Sequence, residues 1–192
     1  WAVLRGISLG HEQFTDVFEL QLKDPVTENP VSDQTAMYSI SIALREALAV
    51  KLGINADEMG CTVSNRKNDS GIISTSIIIF DKAGNGAGFS SSAGKYIVEL
   101  LTHAQDILTC KNNCETACHS CLLRFDTQFK INNLNRHSAL EIMSDSLMAG
   151  LKLQTEWKFF GDRSQPEFDQ LDDAIIFSFS AKNFRELRIY AG

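Results

Sequence analysis

The stretch Cys110–Cys121, CKNNCETACHSC, contains four of the chain's five cysteines in the spacing C-x3-C-x3-C-x2-C. Two disulfides inside so short a segment would tie it only to itself and restrict little of the unfolded chain. A chain of 192 residues can also build a core without them. Buried, unreactive thiols are a second interpretation, but lysine, asparagine, glutamate, threonine and histidine neighbours are not typical of a core. The pattern favours four thiolates around one metal ion.

The spacing also predicts that this segment folds back on itself. On one continuous helix, Cys110 and Cys118 would lie about 12 Å apart, because a helix rises about 1.5 Å per residue. No single ion bridges that distance. We expect the reversal at Asn112-Asn113, because asparagine tolerates left-handed turn conformations. Cys118 and Cys121 form the short C-x2-C pair that is common in zinc sites.

The ligand type favours zinc in a structural role, and an iron–sulfur cluster is the alternative. A catalytic zinc keeps one position open for water, whereas four thiolates close the site. Neither H-E-x-x-H nor H-x-E followed by P-C-x-x-C occurs in the sequence. His119 is a possible substitute ligand, and Cys61 is interpreted as a structural residue. The predicted metal ligands are Cys110, Cys114, Cys118 and Cys121.

The composition is ordinary for a globular protein, with 44% hydrophobic and 22% charged residues. The formal net charge is −6. Proteins that bind nucleic acid over their whole surface are usually basic, so any contact with DNA must be local. No apolar run approaches the roughly 20 residues of a membrane helix, so we expect no membrane partner. The chain starts at Trp1 and is interpreted as a piece of a longer protein.

Hydrophobic periodicity predicts alternating helices and strands. FTDVFELQL, residues 14–22, alternates as a half-buried strand does. A helix follows, capped by Ser32 or Asp33 and ended by Gly53. ISTSIIIF, residues 73–80, ends in the apolar run of a central strand. Further helices are predicted at 92–109 and 136–151, and a strand at 174–180.

Together these elements predict an α+β fold, in which a small mixed sheet packs with several helices and carries a four-cysteine zinc module. We expect one domain over residues 1–152, with the module at 110–121. Residues 153–192 are expected to be a C-terminal extension of uncertain role.

The glycine-rich turn DKAGNGAGFSSS, residues 81–92, does not match a nucleotide-binding motif. Its glycines give G-x-G-x-G, and Gly94-Lys95 lacks the rest of a phosphate loop. One interpretation is a tight turn that brings a strand and a helix close together. The other is that the backbone N–H groups of Ser90 to Ser92 bind a phosphate group.

Three stretches resemble the MrfA-type zinc-binding (MZB) domain: IIIFDKAGNGAGFS at 77–90, the cysteine block, and NNLNRHSAL at 132–140. The resemblance extends over roughly residues 14–151. This chain departs from the family pattern in its first cysteine gap, which is three residues long, and in Ala117, Asn85 and Asn135, where glycine or aspartate is usual.

The resemblance implies an accessory domain of a superfamily 2 helicase system, in DNA repair or in antiphage defence. The DrmB subunit of the DISARM system is similar in carrying such a domain. The implied domain is not an enzyme by itself, is cytoplasmic, docks on helicase motor domains or a motor subunit, and contacts the DNA backbone. One alternative is a zinc-containing protein–protein module that binds no nucleic acid; another is a nuclease or hydrolase whose site has no recognised motif. The candidate phosphate contacts are Lys111, Arg124, Lys130 and Arg136.

Overall fold

A three-stranded antiparallel sheet forms one layer of the fold, with the strand order β1–β3–β2. The computed structural model describes residue 10 and residues 12–67 and 71–152. The predicted strand at 174–180 and the extension at 153–192 lie outside these residues. The strands are β1 (Val17–Gln21), β2 (Met59–Lys67) and β3 (Ile73–Asp81). The α-helices are α1 (Gln34–Leu52), α2 (Ile97–Thr109), α3 (Arg136–Ile142) and α4 (Asp145–Gly150).

The central strand is β3, as its apolar run predicted. Ile77 and Ile79 are buried, and Ile79 lies opposite Phe18 on β1 and Cys61 on β2. The α+β class is confirmed, but every strand pair in the described sheet is antiparallel rather than mixed. Strand β2 was not predicted from the sequence. Hydrophobic and polar residues alternate only weakly along it, and its second half, Ser64–Lys67, is polar.

Helix α1 lies at the centre of the fold and contacts β2, β3, α2 and α3. Its N-cap is Asp33, whose carboxylate accepts a hydrogen bond from the N–H of Ala36. It ends at Gly53, which has a φ of 68°. Both boundaries agree with the sequence analysis. Thirteen of its nineteen residues are buried, so the helix is covered by other elements on most of its sides and not on a single face.

The remaining helices differ in detail from the sequence analysis. A 3₁₀ segment, Ser90–Tyr96, precedes α2, so the α-helix begins at Ile97 rather than at residue 92. The single helix predicted at 136–151 is two helices, α3 and α4, separated at Met143 and Ser144. The chain divides into two compact units, the first of which ends at Met148. Among the described helices, none combines the length and apolar character that a bilayer span requires.

Asp81, at the end of β3, organises the glycine-rich turn. Its buried carboxylate accepts hydrogen bonds from the backbone N–H groups of Ala87, Phe89 and Ser90, at 2.7, 3.1 and 2.9 Å, and from the Ser90 hydroxyl at 2.7 Å. Of the N–H groups considered for phosphate, that of Ser90 is therefore bound to Asp81, and that of Ser92 donates to the Phe89 carbonyl at 3.2 Å. The structure supports the tight-turn interpretation and overturns phosphate binding at Ser90.

Two residues in this turn adopt left-handed conformations. Asn85 has a φ of 65°, which asparagine tolerates better than other residues with a β-carbon. Its departure from the family's glycine is thus accommodated. Gly86 has a φ of 76°, and a β-carbon there would lie 2.2 Å from a carboxylate oxygen of Asp16. Only glycine fits this position without a local rearrangement.

Replacing Asp81 with asparagine is expected to lower the free energy of unfolding by about 1–3 kcal/mol at neutral pH, because the buried N–H groups lose a charged acceptor. Burial tends to raise the pKa of Asp81, but the hydrogen bonds from Ser90, Ala87 and Phe89 outweigh it and hold that pKa below its ordinary 3.8. The stabilisation is therefore complete above the unfolded-state pKa and is lost as pH falls through the lower folded-state pKa. Urea unfolding across a pH series should show a constant gap between the two proteins above about pH 5 that narrows below about pH 4. A gap that widens on acidification would contradict this account.

Candidate metal centre

The four cysteines of the 110–121 segment converge, as the spacing predicted. Their Sγ atoms all lie within 4.8 Å of one another. The Sγ–Sγ distance is 3.5 Å from Cys110 to Cys118, 3.6 Å from Cys114 to Cys121, and 3.8 Å from Cys118 to Cys121. All four are unpaired thiols rather than disulfides.

These distances fit a single tetrahedral ion. Four sulfurs each about 2.3 Å from one ion lie about 3.8 Å from one another. A disulfide would need a sulfur–sulfur distance of about 2.05 Å, well below the values observed. The donor set is uniform and closed, so an ion there has four protein ligands and no position left for water.

Local backbone geometry turns the segment back on itself. Helix α2 ends at Thr109. Its C-cap residue, Cys110, has a φ of 53°, which turns the chain away from the helix axis. Asn113 has a φ of 44°, and its N–H donates to the Cys110 carbonyl at 2.9 Å. The reversal thus involves the predicted Asn112-Asn113 pair together with Cys110. Ala117 does not adopt a left-handed conformation, so it needs no glycine.

The C-x2-C pair forms a tight turn in which a backbone N–H group donates to a sulfur atom. The N–H of Cys118 donates to Cys121 Sγ at 3.2 Å, and the N–H of Cys121 donates to the Cys118 carbonyl at 3.0 Å. Hydrogen bonds to sulfur stabilise its thiolate form. Cys121 is fully buried and Cys110 is 5% exposed, so half of the site faces the core.

The thiols differ in acidity. Hydrogen bonds from the backbone N–H groups of Cys114 and Asn112 lower the pKa of Cys110 to about 6. Burial, together with hydrogen bonds to Cys121 and Cys110, raises the pKa of Cys114 to about 12. Burial also raises the pKa of Cys121. One thiolate therefore forms easily, whereas four thiolates at this spacing need a cation to balance their charge.

Arg136, at the start of α3, holds the cysteine segment in place. Its side chain donates to the Cys114 carbonyl at 2.5 Å, to the Asn113 Oδ1 atom at 2.8 Å, and to the carbonyls of Thr109 and Leu108 at 3.3 and 3.5 Å. Arg136 is only 3% exposed. Because its N–H groups are used inside the protein, we reassign Arg136 from a phosphate contact to a residue that positions the metal ligands.

Asn135 joins α3 to the core. Its Oδ1 atom accepts hydrogen bonds from the N–H groups of His137 and Ser138, at 2.9 and 3.2 Å, and its own N–H donates to the Ser39 hydroxyl on α1. Asparagine caps a helix about as well as aspartate does. The departure from the family's usual aspartate is thus accommodated.

A second buried arginine, Arg45 on α1, holds the chain just after the module. It forms ion pairs with Asp126 and with Glu46, the latter at 3.1 Å. Glu46 also pairs with Arg124 at 3.0 Å. The Arg45 side chain is 1% exposed, and its Nε atom has no hydrogen-bond partner. This network was not predicted from the sequence; the available signal was the pair Arg45-Glu46 between apolar residues of α1.

The other candidate phosphate contacts lie in different surroundings. Lys111 and Lys130 are exposed. Lys130 Nζ lies 5.2 Å from the centre of the Tyr38 ring. Arg124 is partly committed, because it pairs with Glu46 and donates to the His119 and Leu123 carbonyls. The exposed His119 is not part of the four-sulfur group.

Comparisons with known proteins agree with the geometry of this site. Residues 40–122, from within α1 to just beyond the fourth cysteine, match the family model of the MrfA Zn-binding domain, MZB. No curated protein matches the chain. A solved structure, described as the crystal structure of the DUF1998 helicase MrfA bound to DNA, is 17% identical with a TM-score of 0.42; the match covers 59% of this chain and 15% of that one. The chain thus spans a small part of that helicase, and a likeness of this size carries no argument about function. The four-sulfur site thus lies inside the stretch, residues 40–122, that is similar to the MrfA Zn-binding domain family.

Proposed function

We propose that this chain is a zinc-stabilised accessory domain of an ATP-dependent DNA helicase or translocase system, active in DNA repair or antiphage defence. In this proposal it docks on motor domains and contributes no ATP hydrolysis of its own. The observation that carries the proposal is the convergence of four thiols inside the region that matches the zinc-binding family.

Zinc is the ion that the donor set fits best. Thiolates are soft ligands that select zinc or iron–sulfur clusters over magnesium or calcium. An iron–sulfur cluster would place several iron and sulfide atoms between the cysteines, whereas sulfurs 3.5 to 3.8 Å apart leave room for one ion. When bound, zinc supplies cross-linking by coordination, and Cys110, Cys114, Cys118 and Cys121 hold it. The role is structural because the four ligands fill the coordination sphere.

The helicase association is supported by the family name and by the resemblance of residues 77–90, 110–121 and 132–140 to domains that accompany superfamily 2 motors. The free thiols fit a reducing compartment such as the cytoplasm, where cysteine stays available for metal. DNA-backbone contact by Lys111, Lys130 and Arg124 belongs to this proposal as well.

The motor association has a direct test. The tagged protein is purified from its own cells, and ATP hydrolysis by the preparation is measured with and without DNA. We expect the preparation to hydrolyse ATP and DNA to stimulate that hydrolysis. Substitution of the zinc ligands should release the domain from the motor and lower the copurifying ATPase activity. A clean preparation with no ATPase activity under either condition would reject the motor association.

A protein–protein module without nucleic-acid contact is the second candidate, and the net charge of −6 favours it. Salt dependence separates the two. Contacts with phosphate release counterions, so the affinity of a DNA-contacting domain falls steeply as salt rises. If the domain bound no DNA even at low salt, the result would favour the protein–protein module.

A further inference from the structure

Residues 124–131, RFDTQFKI, form an exposed turn directly after the metal module, which we call the aromatic turn. Phe125 is 82% exposed and Phe129 is 85% exposed. Side chains of this size are usually buried, and two of them exposed so close together indicate a binding surface. Each phenylalanine is also adjacent in sequence to a cation, Arg124 or Lys130.

The two rings stand on a well-held backbone. The N–H of Gln128 donates to the Arg124 carbonyl at 3.1 Å, which makes this a helical turn. Phe125 lies in this turn, and Phe129 lies in the 3₁₀ segment Gln128–Asn133 that follows it directly. Thr127 is buried, and its hydroxyl donates to the Leu122 carbonyl at 3.0 Å and accepts from the Arg124 N–H at 2.8 Å. The backbone that carries the two rings is thus held by hydrogen bonds within the protein.

The charge at this surface is suited to an anion. Asp126 is the only carboxylate of the aromatic turn, and it is paired with Arg45. Burial tends to raise the pKa of Asp126, but the hydrogen bond and the charge of Arg45 lower it. The ion pair neutralises Asp126, so Lys130 remains as an exposed cation of the aromatic turn in a chain whose net charge is −6.

A polar cavity of about 180 Å³ lies beside the aromatic turn. Lys130 lines it together with Gln34 and Thr35, which belong to the first turn of α1. The N-terminus of α1 itself is already capped by the Asp33 carboxylate, so Lys130 is the cation among the lining residues. No carboxylate lines this cavity; its remaining lining residues are Tyr38, Thr62, Val63 and Asn133. Such surroundings fit a phosphate group.

We propose that the aromatic turn binds single-stranded DNA, with bases stacking on Phe125 and Phe129 and a backbone phosphate near Lys130. Flat rings alternating with cations are the combination that sequence-tolerant single-strand binders use. A protein partner is the alternative occupant, and binding of the DNA strand by the wild type and the leucine variant separates the two. This proposal deepens the proposed function and rests on it.

The test measures fluorescence anisotropy of a labelled oligo(dT) strand of about 15 nucleotides, within the usual site size of such proteins, with the full zinc-loaded chain at low salt. We expect replacement of both Phe125 and Phe129 with alanine to weaken binding by about 30-fold or more, as the loss of two stacked bases predicts. Val26→Ala is the control, because Val26 is an apolar residue that is 83% exposed in the loop between β1 and α1. It should leave the affinity unchanged.

Two further variants identify the kind of contact. Tyrosine at both positions keeps the flat rings and should keep the affinity, whereas leucine keeps the apolar bulk and should lose it. Lys130→Ala should reduce the slope of log affinity against log salt by about 1. A blunt duplex of the same length should bind more weakly, because its bases are already stacked inside the helix.

Three results would overturn the proposal: no binding of the single strand by the wild type, equal weakening by Val26→Ala, or full binding by the leucine variant, which would show that the strand does not stack on the two rings. Because both side chains are exposed, zinc content and unfolding should match the wild type in every variant. Absence of strand binding in a protein that still copurifies with DNA-stimulated ATPase would reject the aromatic turn as the contact and leave the accessory role intact.

Discussion

Replacing Cys118 with serine is expected to reduce bound zinc from about one ion per chain to nearly none, because serine is a poor ligand for zinc beside three thiolates. The free energy of unfolding should fall by several kcal/mol, since zinc binding contributes roughly 10 kcal/mol or more to the folding of zinc-finger peptides. Cys118 Sγ lies 3.5 Å from Cys110 Sγ and 3.8 Å from Cys121 Sγ, so the substitution removes a sulfur that is close to two others. Elemental analysis and thermal unfolding monitored by circular dichroism measure both effects.

Cys61→Ser is the matched control for that experiment. Cys61 is a free thiol on β2 and is not a member of the four-sulfur group. Its substitution should leave the zinc content unchanged, although it can affect the packing of the strand. Equal loss of zinc in the two variants, or an unchanged melting curve and metal count for Cys118→Ser, would contradict a structural zinc site.

Replacing Arg136 with methionine is expected to destabilise the domain by about 3–5 kcal/mol, because it removes the donor from several buried carbonyl groups at once. The side chain of Arg136 joins the carbonyls of Cys114, Thr109 and Leu108, so its loss frees the cysteine segment from the end of α2. We therefore also expect zinc affinity to fall by about 10- to 100-fold, as for other residues that orient metal ligands. Competition with a chromophoric chelator measures the affinity, and urea unfolding measures the stability.

Two arginine variants make this prediction specific. Arg136→Lys keeps the positive charge but cannot reach several carbonyls in a fork, so it should recover only part of the stability. Arg66→Ala removes an arginine whose side chain is 64% exposed and which pairs with Glu19 at 3.4 Å, so it should change stability by less than about 1 kcal/mol. If Arg136→Met retained wild-type zinc affinity and stability, the positioning role would be wrong.

The sequence predicted those features that depend on local chemistry. Asp33 and Gly53 are residues with strong preferences for helix ends, and both bound α1 as expected. The apolar run of β3 placed that strand at the centre of the sheet. The cysteine spacing required a reversal, and the left-handed Asn113 lies within the residue pair where we expected it.

The remainder depends on contacts between distant parts of the chain. Arg136 looked like a surface cation, because nothing near it in sequence shows that the carbonyls of Leu108 and Thr109 converge on it. The pairing of Arg45 with Asp126 joins residues 81 positions apart. The sequence shows that Phe125 and Phe129 are each adjacent to a cation. It does not show whether the two side chains are buried in the core or exposed at a surface, which the structure does.

The central claim is that four cysteine sulfurs bind one zinc ion, and X-ray absorption at the zinc edge tests it most directly. The spectrum of the purified chain should show a single shell of four sulfur atoms at about 2.3 Å, with no oxygen or nitrogen neighbour. A shell containing light atoms, an iron edge in place of zinc, or a metal-free protein with its thiols oxidised in pairs would contradict the account.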